Sequence, residues 1–345
     1  MKDFTVARAQ EAFCHFVGNK AFEESVLLSK GPMDLSSAAV QETMSLLIRN
    51  ATKSDEIYHF SQVGIEDNPM LRWVAPVFES SEKLDEQSEY IARHLLDQTD
   101  NPSLKGGYLS LVYFTGCMFE NKEVDALAIF KFENTVDVFM PQSAENVIDL
   151  AKATGLNASS ADKSCVIINM EGEDGYRILV TDSGKSLDSH YWRNQFLGIR
   201  PVANAFHFTQ NVLKMTREFI TKEMPEEFPL SKAESADLLN RSLDYFKENE
   251  TFVKEEFAET IFEDERIIDS FIKYDEDFCQ HNDVPQSQEF EIDNKAVKKQ
   301  AKIFKSVLKL DKNFHIYIHG NRNLIEKGID EDGRKYYKIF FESEE

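Results

Sequence analysis

The alternation of apolar and polar residues predicts two β-hairpins in the first half of the chain. Apolar runs at 108–116 and 124–133 are joined by a short polar loop, and a second pair of runs lies at 165–170 and 176–181. Gly172 begins a Gly-Glu-Asp-Gly turn between the second pair. Runs rich in β-branched and aromatic residues, joined by short loops, are typical of antiparallel hairpins.

Other segments of the chain have apolar residues at helical spacing, and this spacing predicts several helices. Segments 36–49, 82–96 and 143–154 carry apolar residues three and four positions apart. A longer amphipathic helix is predicted over 203–222, and residues 231–280 are helical and acidic, with recurring aromatic residues. We expect those aromatic residues to form a core.

The last part of the chain predicts one basic helix followed by a small sheet. Residues 294–312 read NKAVKKQAKIFKSVLKLDK, and strands are expected at 314–319, 324–329 and 335–341 as a three-strand meander. The fold class predicted is α+β: an N-terminal domain of antiparallel hairpins and helices, an acidic helical middle, and a C-terminal basic helix with an antiparallel meander. The corresponding domains are 1–185, 186–290 and 291–345.

Composition supports a folded protein with several cores. The chain has 345 residues, 42% of them hydrophobic, with 27 phenylalanines. Four scattered cysteines show no metal-ligand spacing, which favours a reducing compartment. No signal peptide and no apolar run of about 18 residues is evident, so a cytoplasmic protein without a membrane partner is expected.

The net charge makes the basic segment the most informative feature. The chain carries a formal charge of -22, yet residues 295–338 contain 12 lysines and arginines against 5 acids. On one helix, seven lysines would fall within an arc of about 140°, opposite Val297 and Phe304. Such a surface suits an anionic partner at close range. The lysines are Lys295, Lys298, Lys299, Lys302, Lys305, Lys309 and Lys312.

Three arginines complete the predicted DNA-binding set. Arg193 and Arg200 lie in the aromatic element 190–201, and Arg322 lies in the predicted meander. Arginine beside aromatic residues can contact phosphate or base. The same aromatic residues can instead anchor the chain between the sheet and the long helix, and this alternative remains open.

The sequence contains none of the common catalytic motifs, and one arrangement of residues is compatible with a nuclease. No P-loop, GxGxxG, HExxH, GxSxG or SxxK occurs. Asp125 and Lys131, flanked by glutamates, are compatible with a metal-dependent nuclease, although the tight acid-x-Lys triplet is missing. His315 and His319 are expected on one strand, too far apart for one metal ion. No catalytic residue, metal site or cofactor is therefore predicted.

Several features together resemble the bacterial 37-kDa nucleoid-associated protein family (NdpA/YejK). They are the pair Gly106-Gly107 leading into the first hairpin, the YWRNQFLGIRP element before a long helix, and the basic helix leading into FHIYIHGNRNLIEKGI. The resemblance implies a bacterial protein of the cytoplasm and nucleoid that associates with DNA and with a type II topoisomerase. It brings no catalytic residues.

The predicted function is accordingly binding of double-stranded DNA through the lysines, largely without sequence specificity and without catalysis. The alternatives are a protein–protein adaptor that uses the acidic helices, for example toward a topoisomerase, and the nuclease centred on Asp125 and Lys131. The sequence leaves a homodimer open and does not reveal the cellular trigger.

Overall fold

A computed structural model of the chain forms two compact units, Met1–Val202 and Ala203–Glu345. It describes residues 2–61, 68–144, 147–182, 190–282, 284–302, 304, 307–310, 314–317, 325–341 and 343. Where the sequence predicts three domains, the structure has two units, and the aromatic element 190–201 packs within the first of them.

The first unit is built on one antiparallel sheet. Its strand order is β11-β4-β10-β9-β6-β5-β2-β3, and β1 pairs with β5. The strands are β1 Lys2–Asp3, β2 Arg8–Val17, β3 Val26–Leu27, β4 Tyr58–Phe60, β5 Gly107–Phe119, β6 Lys122–Phe132, β9 Lys163–Ile168, β10 Arg177–Asp182 and β11 Ile199–Pro201. Both predicted hairpins, β5/β6 and β9/β10, are confirmed.

Cores lie on both faces of this sheet, which explains the nearly continuous apolar runs. In β5, Leu109 and Leu111 point into one core and Val112 and Phe114 into the other. Strands buried on both faces lose the apolar–polar alternation of a half-exposed sheet. Residues of helices α2 (Pro69–Glu79) and α3 (Leu84–Gln98) contribute to the first core and residues of α1 (Ala38–Ala51) to the second. The predicted helices at 36–49 and 82–96 are confirmed.

The helix predicted at 143–154 is wrong. Strands β7 (Thr135–Ala144) and β8 (Val147–Leu156) form a separate two-stranded ribbon, paired over all ten residues. Val147, Leu150 and Ala151 have helical spacing, but they are cross-strand neighbours of residues 140–144. The alternation of Val136, Val138 and Met140 is the strand signal that the helical spacing concealed.

The second unit is mainly helical and has an aromatic core, as the sequence predicts. A π-helical turn, Phe219–Glu223, continues α4, and the core includes Phe219, Phe246, Phe257 and Phe271. Its helices are α4 Ala205–Glu218, α5 Met224–Glu227, α6 Lys232–Glu248, α7 Lys254–Ile261, α8 Glu265–Asn282 and α9 Asn294–Ala301.

Three 3-10 turns and six strands, each of three to five residues, are further elements of the described residues. The 3-10 turns are Lys20–Phe22, Ser81–Lys83 and Gly172–Asp174. The strands of the second unit are β12 Thr251–Val253, β13 Glu289–Glu291, β14 Val307–Leu310, β15 Phe314–Tyr317, β16 Ile325–Ile329 and β17 Lys335–Ile339.

The C-terminal region departs from prediction in two ways. The helix ends at Ala301, and β14 occupies part of the segment predicted as helix. β14 pairs with β15 and β16 with β17, so the described residues form two hairpins and show no β15–β16 pairing of a three-strand meander. Leu308, Lys309 and Leu310 alternate, which is a strand pattern inside the lysine run.

No helix in the described parts of the chain is both long and apolar enough to cross a bilayer. Cys117, Cys165 and Cys279 are buried, Cys14 is half-buried, and all four are free thiols. Burial raises the pKa of the Cys117 thiol to about 12, which keeps it protonated and unreactive at neutral pH.

Candidate nucleic-acid interface

The basic helix α9 begins at a well-defined cap. The Asp293 carboxylate accepts hydrogen bonds from the backbone N–H groups of Lys295 (2.8 Å) and Ala296 (2.9 Å). This side chain supplies partners for two of the N–H groups that the first turn leaves open, and its charge favours the helix N-terminus. The start predicted at residue 294 therefore agrees with the structure.

One side of α9 is fixed in the core of the second unit. Ala296, Val297 and Gln300 are buried, as is Phe304 beyond the end of the helix. The helix packs against α4 and α6. Burial of Val297 and Phe304 contributes roughly 1.5–3 kcal/mol for each side chain, so the orientation of the helix is set by its apolar side.

The other side of α9 presents four lysines to solvent. Lys295, Lys298 and Lys299 on the helix and Lys302 at its C-terminal cap are all exposed. At 100° per residue their directions fall within an arc of about 100°. We call these four residues the lysine face.

Three of the four lysines of the lysine face carry charge that no described carboxylate neutralises by contact. Within the part of the chain that the structure describes, Lys298, Lys299 and Lys302 form no ion pair with a carboxylate. The Lys299 ammonium lies 5.4 Å from the centre of the Phe206 ring, a cation–π contact that positions it without removing its charge.

Repulsion within the lysine face favours a bound anion. Residues three and four apart on a helix lie about 5–6 Å from each other, and like charges at that spacing destabilise the helix by about 0.2–0.5 kcal/mol for each pair. Lys298 and Lys299 are in the last turn, where the helix dipole offsets part of this cost. A row of phosphates along this face would relieve the rest.

The prediction that one helix carries all seven lysines is wrong, because the helix ends at Ala301. Lys309 is on β14, where its Cα partner is His315. Lys305, Lys312, Arg322 and His319 lie outside the described residues. The face that the structure defines therefore consists of four of the seven predicted lysines.

Arg193 belongs to the first unit and packs inside it. It lies in the π-helical turn Tyr191–Phe196, and its guanidinium carbon is 5.3 Å from the centre of the Tyr58 ring. Its Nε is buried and has no hydrogen-bond partner among the described residues. Trp192 and Phe196 of the same turn are fully buried, with ring centres 4.8 Å apart, so the element anchors the fold.

Arg200 lies nearby along the chain but differs in exposure. It is on the edge strand β11, exposed, with His59 as its Cα partner. Asn68 holds the segment between the two arginines in place: its Nδ2 donates to the Gly198 carbonyl (3.0 Å), while its Oδ1 caps α2. Arg193 and Arg200 thus share an element of the first unit, and the lysine face belongs to the second.

Asp125 and Lys131 do not form a metal site. They are six residues apart on β6, which separates them by about 20 Å. Asp125 accepts a hydrogen bond from Tyr113 Oη (2.7 Å). Lys131 is fully buried and donates to the Lys105 carbonyl (2.7 Å) and Glu133 (2.8 Å). No cluster of three or more metal-ligating side chains occurs among the described residues.

Sequence reasoning missed a buried ionic cluster at the end of β6. Lys163 lies 2.9 Å from Asp182 and 4.0 Å from Glu133, and Glu133 also binds Lys131. Both lysines are at most 1% exposed. The only signal in the sequence is that each lysine interrupts or begins an apolar strand.

The acidic helices are partly neutralised from within. Asp275, one of three consecutive acids, is buried and forms an ion pair with buried Lys254. Its neighbours Glu276 and Asp277 are exposed, as are Glu255 and Glu256. The acidic surface is therefore smaller than the sequence indicates.

Comparison with known families places this α+β chain among the nucleoid-associated proteins. It belongs to the family described as nucleoid-associated protein YejK, whose model matches residues 15–333. The resemblance drawn from the sequence is confirmed. No curated protein sequence matches the chain.

Proposed function

We propose that this nucleoid-associated protein binds double-stranded DNA through the lysine face, Lys295, Lys298, Lys299 and Lys302. The observation that carries the proposal is that four exposed lysines share one side of a helix whose other side is buried. Membership of the family supports DNA as the anionic partner. The ammonium groups would contact backbone phosphates, which are the strongest anions on a duplex.

The net charge of the protein makes this interaction short-ranged. At -22 the molecule as a whole repels DNA, but charges are screened beyond about 8 Å at physiological ionic strength. Only phosphates in direct contact with the lysine face would feel a net attraction. The protein would therefore bind DNA at close range and would not collect other polyanions from a distance.

We infer that binding has little sequence preference. Lysine acts as a point charge and lacks the paired donors with which arginine, asparagine or glutamine reads base edges. Unrelated duplexes of equal length should compete within about tenfold, because each specific base contact would contribute about 1–3 kcal/mol. A duplex preferred a thousandfold would contradict this.

The proposed role is structural and non-enzymatic, in the nucleoid. Asp125 and Lys131, the pair considered for a nuclease, are separated along β6 and one of them is buried. DNA incubated with the protein and Mg²⁺ should remain intact.

The direct test changes all four lysines to glutamine in the full chain. Binding to a short duplex at low salt should be lost. The matched control changes four other exposed lysines, Lys30, Lys53, Lys122 and Lys232, to glutamine, which alters the net charge equally. The control should bind nearly as well as the wild type. Equal loss in both variants would mean that total charge, not the lysine face, governs binding.

A protein–protein adaptor is the second proposal, with a type II topoisomerase as a partner suggested by the family resemblance. The observation that favours it is the exposed acid pairs Glu255-Glu256 and Glu276-Asp277 on α7 and α8. Changing these four to their amides should weaken binding to a basic partner and leave DNA binding intact. The lysine-face variant should show the reverse.

A further inference from the structure

The Phe206 ring is buried in the first turn of α4 but belongs to none of the apolar cores. It is 5% exposed, and it is part neither of the aromatic core of the second unit nor of the two cores of the first. Within the described residues it has no ring–ring contact, whereas Phe208 on the same helix stacks on Phe290 with ring centres 5.5 Å apart. The contact that the structure shows for the Phe206 ring is with the Lys299 ammonium, 5.4 Å from the ring centre.

Hydrogen bonds fix the two helices that carry this ring and this lysine. The first turn of α4 is capped by Asn204, whose Oδ1 accepts a hydrogen bond from the His207 N–H (3.0 Å). The backbone N–H of Asp293, the capping residue of α9, donates to Thr209 Oγ1 on α4 (3.0 Å), and Thr209 is fully buried. Because α9 also packs along α4, the positions of the ring and of the lysine backbone are set by the fold.

Two other members of the lysine face have no comparable contact. In the described part of the chain, Lys298 and Lys302 are exposed and form no hydrogen bond, ion pair or ring contact. Lysine is among the side chains that lose the most rotamer freedom when they are ordered. A side chain that is already held in place loses less freedom when a ligand binds. Lys299 therefore begins with an advantage over these two lysines.

The ring contact leaves the Lys299 ammonium able to bind a phosphate. An ammonium group has three N–H donors, and an aromatic ring attracts it through the ring quadrupole without removing its charge. Lys299 is exposed, so the side of the ammonium that faces away from the ring is open to solvent. Ring and phosphate would then stabilise the same cation from two sides.

We propose that Phe206 is a positioning residue for DNA binding, which holds the Lys299 ammonium in place for a backbone phosphate. Lys299 accordingly contributes more to affinity than Lys298 or Lys302 does. The inference rests on the proposed function, because it requires that the lysine face binds DNA. It gives a buried aromatic residue outside that face a part in the affinity of the face.

Single lysine substitutions measure the first consequence, as the affinity of the full chain for a short duplex at low salt. Lys299→Gln, Lys298→Gln and Lys302→Gln each remove one charge. Lys299→Gln should weaken binding about two- to fivefold more than either of the others, the ratio that corresponds to one surface cation–π contact. Equal losses in the three variants would overturn the proposal.

Substitutions of Phe206 test the ring itself. Phe206→Leu removes the ring and keeps an apolar side chain, and it should weaken DNA binding by about two- to fivefold. Phe206→Tyr keeps the ring and should bind as wild type does, so equal weakening by the tyrosine variant would contradict a role for the ring. The matched control, Phe208→Leu, removes a ring of the same helix that contacts no lysine, and its affinity should be unchanged. Thermal unfolding verifies that each variant is folded in the assay.

A double-mutant cycle separates positioning of Lys299 from a general effect on the fold. If the ring acts through Lys299, Phe206→Leu should have no further effect in a protein that already carries Lys299→Gln. An equal loss of affinity in both backgrounds would make Phe206 a structural residue and overturn the proposal. Tighter binding by Phe206→Leu would also overturn it, because the ring would then withhold Lys299 from DNA.

Nuclear magnetic resonance of the free protein gives a readout that needs no DNA. Protons that lie over an aromatic ring are shielded, so the ε-methylene signal of Lys299 should lie upfield of the Lys298 signal. Phe206→Leu should abolish this difference. Signals at the same position in the wild type would show that the contact is not formed, and the proposal would fall.

Failure of this inference can be told apart from failure of the proposed function. If the variant with all four lysines changed binds DNA as wild type does, the proposed function fails and the positioning role fails with it. If the lysine variants weaken binding and Phe206→Leu does not, the lysine face remains the DNA-binding surface and only the role of Phe206 is overturned.

Discussion

Lys254 and Asp275 form a buried ion pair between α7 and α8 of the second unit, with their side chains only 6% and 5% exposed. Asp275 also lies beside Cys279, and burial together with this carboxylate raises the pKa of the thiol to about 11. A charge pair in this position ties the first turn of α7 to the middle of α8. Asp275, one of the acids of the acidic helices, therefore stabilises the fold and is not exposed to a partner.

Removing one member of this pair should destabilise the second unit strongly. Lys254→Ala should lower the free energy of unfolding by about 3–5 kcal/mol, because Asp275 would remain charged and buried. Replacing both residues, as Lys254→Met with Asp275→Leu, should cost much less. Urea unfolding measures both.

An exposed pair on α6 provides the control for that experiment. Lys247 and Asp244 are 2.7 Å apart but about half exposed, so Lys247→Ala should cost less than about 1 kcal/mol. If Lys254→Ala costs no more than this control, the buried pair does not stabilise the unit.

Gly107 should tolerate no side chain. A Cβ there would lie 2.2 Å from the backbone oxygen of Phe132, because β5 and β6 approach closely at this position. Gly107→Ala should therefore destabilise the first unit by about 1–3 kcal/mol, as overpacking does. Gly31, where an added Cβ meets nothing within 4 Å, is the matched position, and Gly31→Ala should have little effect on thermal unfolding.

The hairpins and the lysine face show what the sequence can predict here. In β5/β6 and β9/β10 two apolar runs are joined by a short loop, so each strand pairs with the next one in the sequence. The N-terminal cap and the apolar side of α9 can likewise be predicted from neighbouring residues. The ribbon of β7 and β8 escaped prediction because Val147, Leu150 and Ala151 have helical spacing, whereas the strand alternation lies in β7, at Val136, Val138 and Met140. The end of α9 at Ala301 escaped prediction because Lys302, Lys305 and Lys309 continue the helical period in the sequence.

Other features have no local signal at all. Burial of Asp275 depends on Lys254, 21 residues away, and burial of Lys131 depends in part on the Lys105 carbonyl, 26 residues away. The ion pair of Lys163 with Asp182 likewise joins two strands. Which charge lies inside is decided by packing, and a run of acids in the sequence does not reveal which of its members faces the core.

Stability of the first unit should decrease in mild acid. Burial lowers the pKa of His15, His59 and His94 from the ordinary value of 6.5. His15 is buried as the neutral form: its Nδ1 accepts from Ser29 N–H (3.1 Å), so Nε2 carries the proton toward Ser88 Oγ (3.0 Å). The carboxylates of Glu89 and Asp85 act to raise the pKa of His15, but by less than burial lowers it.

The direction of this change in stability follows from proton uptake by the histidines. Below about pH 6.5 the unfolded chain binds protons at these histidines more readily than the folded chain does. The free energy of unfolding should therefore be highest above pH 7, fall as the pH drops below 6.5, and stop falling from this cause once the folded-state pKa values are passed. Urea midpoints between pH 8 and pH 5 measure this, and His15→Gln should show a shallower decline. An identical pH profile in that variant would show that His15 does not contribute to the loss of stability in acid.

The salt dependence of DNA binding by the intact protein tests the proposed contacts between the lysine face and DNA phosphates. Each phosphate contact releases counterions, so the slope of log K against log[salt] should be about -0.9 for each lysine, or about -3.6 for four. The Lys295, Lys298, Lys299 and Lys302 to glutamine variant should have a slope near zero wherever residual binding can be measured. A wild-type slope near zero, or an unchanged slope in the variant, would contradict the assignment of the lysine face as the DNA-binding surface.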